Sequence, residues 1–215
     1  MATELVTINF NRHFPVFTLK SSVLLPQAVM PLILFEPRYL AMINDVLDSS
    51  GMIAMALEMG ESVEEFAAPL RPYVCIGHVR DYSQLEDGRY LVLLQGLCRA
   101  RIVHEVASEP YRMVKLSPNE QVEVDEDNLT SYRQRIEELM LFQSNRLSDS
   151  GADLPLSDLQ VSTQVIVDAA IALLCKEMPQ QYRMLAQPDV RMRAEWLIHK
   201  MEAIAGERRD EGAHN

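Results

Sequence analysis

The sequence predicts an α+β protein whose first half is rich in strands and whose second half is helical. Over residues 14–118 the apolar residues come in short runs separated by Pro, Gly and Asp-Gly, which is typical of a small, strongly bent sheet. Residues 120–128 are acidic and poor in apolar side chains, and beyond them the apolar residues follow the 3.6-residue period of helices. Two domains of different class are therefore expected.

The change of period gives the expected domain boundaries. We predict a β domain at residues 1–118 and a helical bundle at residues 119–206. Residues 207–215 are polar and are predicted to form a disordered tail.

The clearest strand signal is a hairpin over residues 73–96. Side chains alternate along residues 74–79, and Asp87-Gly88 precedes the apolar run 90–95. Asp-Gly favours the positive φ angles of a tight hairpin turn. After the hairpin, apolar residues alternate with Arg99 and Arg101, which predicts a strand with both guanidiniums on one face. A further strand is predicted over residues 111–116.

One helix interrupts the β half. Pro37 has the fixed φ suited to a first helical position, and the apolar residues that follow have helical spacing. Gly51 is expected to end the helix in a left-handed conformation.

Three helices are predicted in the second half. The first carries an apolar stripe over residues 129–143, and the last spans residues 188–206. The middle helix is predicted over residues 157–177, with Ser157 and Gln160 as a capping box and Pro179 at its end. Its stretch 165–175 is apolar on nearly every side, so we expect it at the centre of the bundle.

Composition excludes several functional classes. A net charge of −11 and a pI near 4.9 disfavour nucleic acid and anionic membranes as partners. Cys75, Cys98 and Cys175 are far apart and odd in number, which argues against disulfides and zinc and fits reduced thiols in the cytoplasm. The histidines lack the spacing of metal ligands, and no segment approaches the roughly 20 apolar residues of a membrane span.

A specific resemblance covers the β half. Residues 14–39 read FPVFTLKSSVLLPQAVMPLILFEPRY. This segment is similar to the opening of Lon protease substrate-binding domains, whose pattern is close to PLFPL..VLFPG..LPL.IFEPRY. Further matches are Met42-Ile43, Asp45, Ile76-Gly77, Asp87-Gly88-Arg89-Tyr90, Gly96 and Arg99. The resemblance implies a PUA-like, six-stranded pseudo-β-barrel followed by a helical bundle, and a role in recognising protein substrates or partners.

The departures from Lon define the expected activity. The sequence has no GxxxxGK[ST] phosphate loop and is too short to include the Ser-Lys protease part, so no ATPase, no peptide cleavage and no cofactor are expected. Gln27 replaces the Gly that usually follows Pro26 in the family. We therefore expect a non-catalytic protein-binding module for unfolded or partner segments.

Six residues are candidate partner contacts, of which Arg99 and Arg101 also support an alternative function. Glu36 and Arg38 flank Pro37 at a helix start, although helix-start chemistry alone explains these residue types. Met59 belongs to a spaced methionine set that suits either an adaptable binding surface or core filling. Phe66 lies among glutamates in a segment expected to be a long surface loop, and is a candidate aromatic anchor.

Arg99 and Arg101 support an alternative function. Two guanidiniums on one strand face form a candidate anion site, so the alternative is a PUA-like barrel that binds RNA or a small molecule. In an acidic protein, two such arginines more often belong to a solvated strand face. His78, Asp81 and Ser83 lie close in sequence, but they fit the hairpin better than a catalytic triad because no GxSxG motif accompanies them.

Overall fold

The structure is a computed structural model. It describes residues 7–60, 68–106, 108–119, 124–144 and 161–212.

The chain forms two compact units. The first comprises Met1–Asn119 and Glu177–Ala186, and the second comprises Glu120–Lys176 and Gln187–Asn215. The first unit is therefore discontinuous in sequence.

The described residues of the first unit form six strands and two helices. The strands are β1 His13–Leu19, β2 Val29–Leu34, β3 Met52–Leu57, β4 Tyr73–Gln84, β5 Tyr90–Val106 and β6 Met113–Pro118. Helix α1 spans Pro37–Leu47, and α4 spans Met178–Ala186.

The six strands form one mixed sheet in the order β2-β5-β4-β3-β1-β6, and β5 also pairs with β6. The pairings therefore form a closed circuit: β5 pairs with β4, β4 with β3, β3 with β1, β1 with β6, and β6 again with β5. Strands β1 and β3 are parallel, whereas the other pairs are antiparallel. The predicted α+β class is confirmed, while the PUA-like relationship stays a prediction.

The strands enclose a small apolar core. Its largest member is Phe14, whose side chain is fully buried and packs beside alanines of β3 and β5. Small residues let the strands approach one another around bulky ones, as close packing of a protein interior requires. The cluster consists of Phe14, Val16, Met52, Ala54, Ala56, Val74, Ile76, Ala100, Val114 and Leu116.

The predicted hairpin is present as β4 and β5. The sequence predicts two separate strands, one before and one after Gly96, but the structure has one long strand, β5. A bulge lets this strand bend without ending. Gly96 lies against the loop that connects β1 to β2. Its N–H donates to the Ala28 carbonyl (2.8 Å), and its carbonyl accepts the Gln27 N–H (2.9 Å).

The loop beside Gly96 explains the family's preference for glycine at position 27. Ala28 N–H donates to the Leu25 carbonyl (3.1 Å), and Gln27 has φ 68°. Proline at the second position and positive φ at the third define a type II turn, for which glycine is the favoured third residue. Gln27 adopts this conformation despite its Cβ.

Replacing Gln27 with Gly should therefore stabilise the protein by up to about 1 kcal/mol, because the steric cost of positive φ exceeds the entropic cost of glycine. A rise in Tm measured by differential scanning calorimetry would show it. Gln27→Ala retains the Cβ and serves as the control. Equal effects of the two substitutions would contradict the explanation.

Helix α1 begins as predicted, but it ends at Leu47 and its C-cap is Asp48 rather than Gly51. Pro37 lies in its first turn after Glu36, whose backbone is extended. Gly51 has φ 68° and donates its N–H to the Val46 carbonyl (3.0 Å). The buried residues of α1 are Tyr39, Met42, Ile43 and Val46.

Helix α4 was not predicted, and it packs on β4. The Tyr73 N–H donates to the Tyr182 hydroxyl (3.1 Å), and the Arg71 guanidinium lies 4.9 Å from the Tyr182 ring centre. Arg99 donates from Nε to the Met184 carbonyl (3.3 Å). Helix α4 thus satisfies polar groups of the sheet as well as covering apolar ones.

The described helices of the second unit are α2 Glu126–Ser144, α3 Thr163–Leu174 and α5 Val190–Gly212, and they pack on one another. Their interior contains an ion pair between Asp168 and Arg193, with Oδ1 and Nε 3.1 Å apart and exposures of 3% and 0%. The buried apolar residues are Leu129, Ile136, Leu139, Met140, Ile166, Val167, Ala170, Ile171, Val190, Ala194, Leu197 and Met201.

The predicted start of the middle helix at Ser157 is wrong. Residues 161 and 162 are not helical, and the Ser162 hydroxyl accepts the Val165 N–H (3.4 Å) as the N-cap of α3. The Glu126 carboxylate also accepts the Thr163 N–H (3.0 Å), so two otherwise unpaired donors are satisfied there. The proposed capping box lies outside the described residues.

The predicted ends of the helices also need correction. Helix α3 ends at Leu174, and Pro179 lies in the first turn of α4, where its missing N–H costs no hydrogen bond. Helix α5 continues through Gly206 to Gly212, into the segment predicted to be disordered. Good helix formers such as Glu and Arg beyond Gly206 favour this extension.

Candidate functional site

The described surface of the first unit exposes a row of apolar side chains on β2 and β5. Val29, Pro31 and Ile33 of β2 lie directly opposite Gln95, Leu93 and Leu91 of β5. Directly opposed residues project from the same face of a sheet. Phe35 follows β2. We call Val29, Pro31, Ile33, Phe35, Leu91 and Leu93 the apolar strip.

Strand alternation explains why the strip is exposed. Leu32 and Leu34 on the other face of β2 are buried, as are Val92 and Leu94 on the same face of β5. The strip residues point the opposite way, with exposures of 46% for Val29, 53% for Ile33, 63% for Phe35 and 37% for Leu91. Contiguous exposed apolar groups are typical of protein-binding surfaces.

Polar groups border the strip on two sides. Asp81 and Ser83 of β4 lie opposite Leu93 and Leu91 and are exposed. Beyond Phe35, the Arg38 guanidinium pairs with the Glu36 carboxylate at 2.6 Å. An apolar centre with a polar rim is the usual arrangement of a protein interface.

Glu36 and Arg38, two predicted contact residues, therefore lie beside the strip. The Arg38 guanidinium also lies 4.6 Å from the centre of the Tyr39 ring. Pairing with Glu36 and stacking on Tyr39 hold Arg38 in place at the start of α1.

Met59 and Phe66 were also predicted contacts. Met59 is 48% exposed, whereas its neighbours in the methionine set, Met52 and Met55, are buried in β3 as core residues. Phe66 lies outside the described residues.

Arg99 and Arg101 are not both available on one surface. Arg101 is exposed, but Arg99 is only 3% exposed, and its guanidinium donates to the Met184 carbonyl of α4. The expected pair of solvent-facing guanidiniums is therefore not formed. The alternative function, binding of RNA or another anion, depended on that pair and is therefore not favoured.

Arg38 also lines a small polar cleft of the first unit, together with Val16, Thr18, Tyr39, Glu58, Tyr111 and Arg112. Its polar groups already bind one another or neighbouring residues. The Tyr111 hydroxyl donates to Asp45 (2.6 Å), and Arg112 donates twice to the Glu105 carboxylate (2.6 and 2.7 Å). Burial and the Asp45 carboxylate raise the pKa of Tyr111 to about 12. The cleft therefore offers a ligand few unengaged groups.

Cys98 and Asp81 carry groups that could in principle take part in catalysis. Burial raises the pKa of Cys98 to about 11, which makes it a poor nucleophile at neutral pH. Asp81 accepts the N–H of its neighbour Tyr82 (2.8 Å), as expected for a hairpin residue. Within the described ranges, no group of three His, Cys, Asp or Glu side chains is arranged to hold a metal. None of the described helices is long and apolar enough to cross a membrane.

Sequence reasoning missed the apolar strip. Residues 29–35 are apolar at every position, so alternation does not show which face meets solvent. Pro31 was the available signal, because proline within a strand marks an edge of the sheet.

Comparison with known proteins identifies the family. A model of the ATP-dependent protease La (LON) substrate-binding domain matches residues 13–203. Lon protease of Chloroherpeton thalassium is 20% identical over 194 residues, which cover 89% of this chain and 23% of that protein. Lon protease 2 of Herpetosiphon aurantiacus is 31% identical over 100 residues, which cover 46% of this chain and 12% of that protein. The chain thus spans less than a quarter of the length of these relatives.

Solved structures show the same fold. The N-terminal domain of Mycobacterium avium complex Lon protease has a TM-score of 0.69 at 16% identity and covers 89% of this chain and 98% of its own. The Lon N-terminal domain protein from Xanthomonas campestris has a TM-score of 0.60 at 21% identity, with coverage of 87% and 98%. The resemblance drawn from residues 14–39 is confirmed, and the chain belongs to the LON substrate-binding domain family.

Proposed function

We propose that this protein is a non-catalytic module that captures unfolded or partner protein segments through the apolar strip. The observation that carries the proposal is the exposure of Val29, Ile33 and Phe35 side by side on β2 and its C-terminal end. Burying such side chains releases about 25 cal/mol per Å² of apolar surface, which favours binding of apolar segments that native proteins conceal. The family match, which lies in the substrate-binding domain of Lon, supports the same function.

The charge of the protein supports protein clients over nucleic acid. With a net charge of −11, the chain repels polyanions, whereas an apolar surface bordered by polar groups does not depend on charge. The three cysteines are widely spaced and odd in number, which fits the expected reduced thiols of a cytoplasmic protein. Glu36, Arg38, Met59, Phe66 and Arg101 remain predicted partner contacts.

The Phe35→Ser variant tests the proposal. We expect it to weaken capture of reduced, carboxymethylated α-lactalbumin about tenfold, because Phe35 offers the most exposed large apolar side chain of the strip. Binding can be measured by fluorescence anisotropy with labelled lactalbumin. Thermal stability should change little, since the side chain is 63% exposed.

Val103→Ser is the matched control, because Val103 is 59% exposed on β5 but lies outside the strip. It should bind as the wild type does. Equal binding by Phe35→Ser and the wild type would contradict a role for the strip, and a wild type that binds no unfolded lactalbumin would contradict the proposed function itself.

A further inference from the structure

Strand β2 has one edge that no described strand covers. It lies at the end of the sheet and pairs with β5 alone among the described strands. In an antiparallel pair, the backbone groups of alternate residues point towards the partner strand and away from it. The hydrogen bond from the Gly96 N–H to the Ala28 carbonyl shows that the even-numbered residues face β5. Val29, Pro31 and Ile33 therefore face the open edge.

The position of Pro31 agrees with this assignment. Proline has no N–H, and within sheets it is tolerated where that group would point away from the ladder. The open edge consequently presents the N–H groups of Val29 and Ile33 and the carbonyls of Val29, Pro31 and Ile33. These N–H and carbonyl groups recur at every second residue, which is the spacing at which another extended chain presents its own hydrogen-bonding groups.

The edge also lacks the usual protection against pairing. Natural edge strands are commonly guarded by charged side chains, especially lysine. Residues 21–35 contain no charged residue, although 24% of the chain is charged. The same residues that face the edge carry side chains of the apolar strip, so one guest segment meets both.

We propose that β2 binds an extended, apolar segment of a client polypeptide by strand addition, with hydrogen bonds to Val29 and Ile33 and side-chain contacts along the apolar strip. This inference rests on the proposed function and names its mode of binding. It favours guests with no particular sequence, because backbone bonds are common to all chains and the strip requires only apolar side chains.

A client segment is a better occupant than a second copy of β2. Each copy lacks the Pro31 N–H, so two paired β2 edges would lose a donor on both strands. A guest without proline leaves only one donor missing. Pro31 therefore weakens self-pairing more than it weakens capture.

Amide hydrogen exchange, measured by NMR on the ¹⁵N-labelled full chain, tests the mode directly. With reduced, carboxymethylated α-lactalbumin bound, the amides of Val29 and Ile33 should exchange more slowly than in the unbound protein. Unchanged exchange at both amides in the bound state would overturn strand addition while leaving the proposed function intact. Protection that appears in the protein alone and rises with its concentration would also overturn it, in favour of a second copy.

Substitution at Ile33 separates backbone from side-chain contributions. Ile33→Ala removes the apolar side chain and keeps the N–H, whereas Ile33→Pro removes both and leaves the ladder to β5 intact. We expect Ile33→Pro to bind lactalbumin about tenfold more weakly than Ile33→Ala. Val29→Pro, compared with Val29→Ala, repeats the test at the other donor in case the first variant fails to fold. Equal affinities within a folded pair would overturn the proposal, and absence of wild-type binding would overturn it together with the proposed function.

Discussion

Replacing Asp168 with Ala should destabilise the helical unit by about 3–5 kcal/mol. Asp168 and Arg193 form an ion pair whose side chains are 3% and 0% exposed. Removing the carboxylate takes the charge of Asp168 away from the buried Arg193 guanidinium. The carbonyls of Gln187 and Pro188, which accept from its Nη1 at 2.9 and 3.0 Å, are neutral and do not replace that charge. A buried cation without a counter-charge is far costlier than the loss of one hydrogen bond.

Urea denaturation followed by far-UV circular dichroism measures this effect. Arg191→Ala is the matched control, because Arg191 is 46% exposed and pairs with Asp189 at 2.8 Å on the surface. Solvent screens such pairs, so little change is expected. If the Asp168 and Arg191 variants unfold at the same urea concentration, the buried pair between α3 and α5 does not contribute to stability as expected.

A second large effect is expected at Gly96. A Cβ added at this position would lie 2.1 Å from the carbonyl oxygen of Leu25. The obstacle is backbone and cannot rotate away, so Gly96→Ala should separate the loop from β5. We expect a loss of about 3 kcal/mol, the upper range for overpacking. The loop contains the turn at Gln27 and leads into β2, so client capture should also decrease.

Gly206→Ala is not expected to lower the stability of the protein, in contrast to Gly96→Ala. Gly206 lies within α5, with no atom within 4 Å of an added Cβ. Alanine should therefore be neutral or stabilise the helix by up to about 1 kcal/mol. Thermal unfolding of both variants measures the difference, and a Gly96→Ala protein as stable as the wild type would contradict the close approach of the loop.

Much of the first unit could be predicted because its signals are local. Asp87-Gly88 marks the β4–β5 turn, Pro37 marks the start of α1, and Gly51 adopts the expected positive φ after the helix. Each of these residues is chosen by backbone conformation, which depends on its neighbours in the chain. The resemblance to Lon domains rests on the same positions.

Contacts between distant residues could not be predicted in this way. Arg99 has the sequence pattern of a solvent-facing strand residue, yet a helix that follows it by more than seventy residues in the chain buries it through the Met184 carbonyl. Asp168 similarly reads as the lone charge on an apolar helix until α5 brings Arg193 to it. The apolar strip could not be predicted because the exposure of a strand face depends on whether elements distant in the sequence pack against it.

The return of the chain to the first unit has a consequence for synthesis on the ribosome. Strand β6 ends at Pro118, but α4 begins only at Met178. At about 5–20 residues per second, roughly 3–12 s separate the emergence of the two elements. Throughout that interval the nascent sheet lacks the Met184 carbonyl that accepts from Arg99 and the Tyr182 hydroxyl that accepts from Tyr73. The N-terminal strands therefore complete their packing only after two of the three described helices of the second unit have been made.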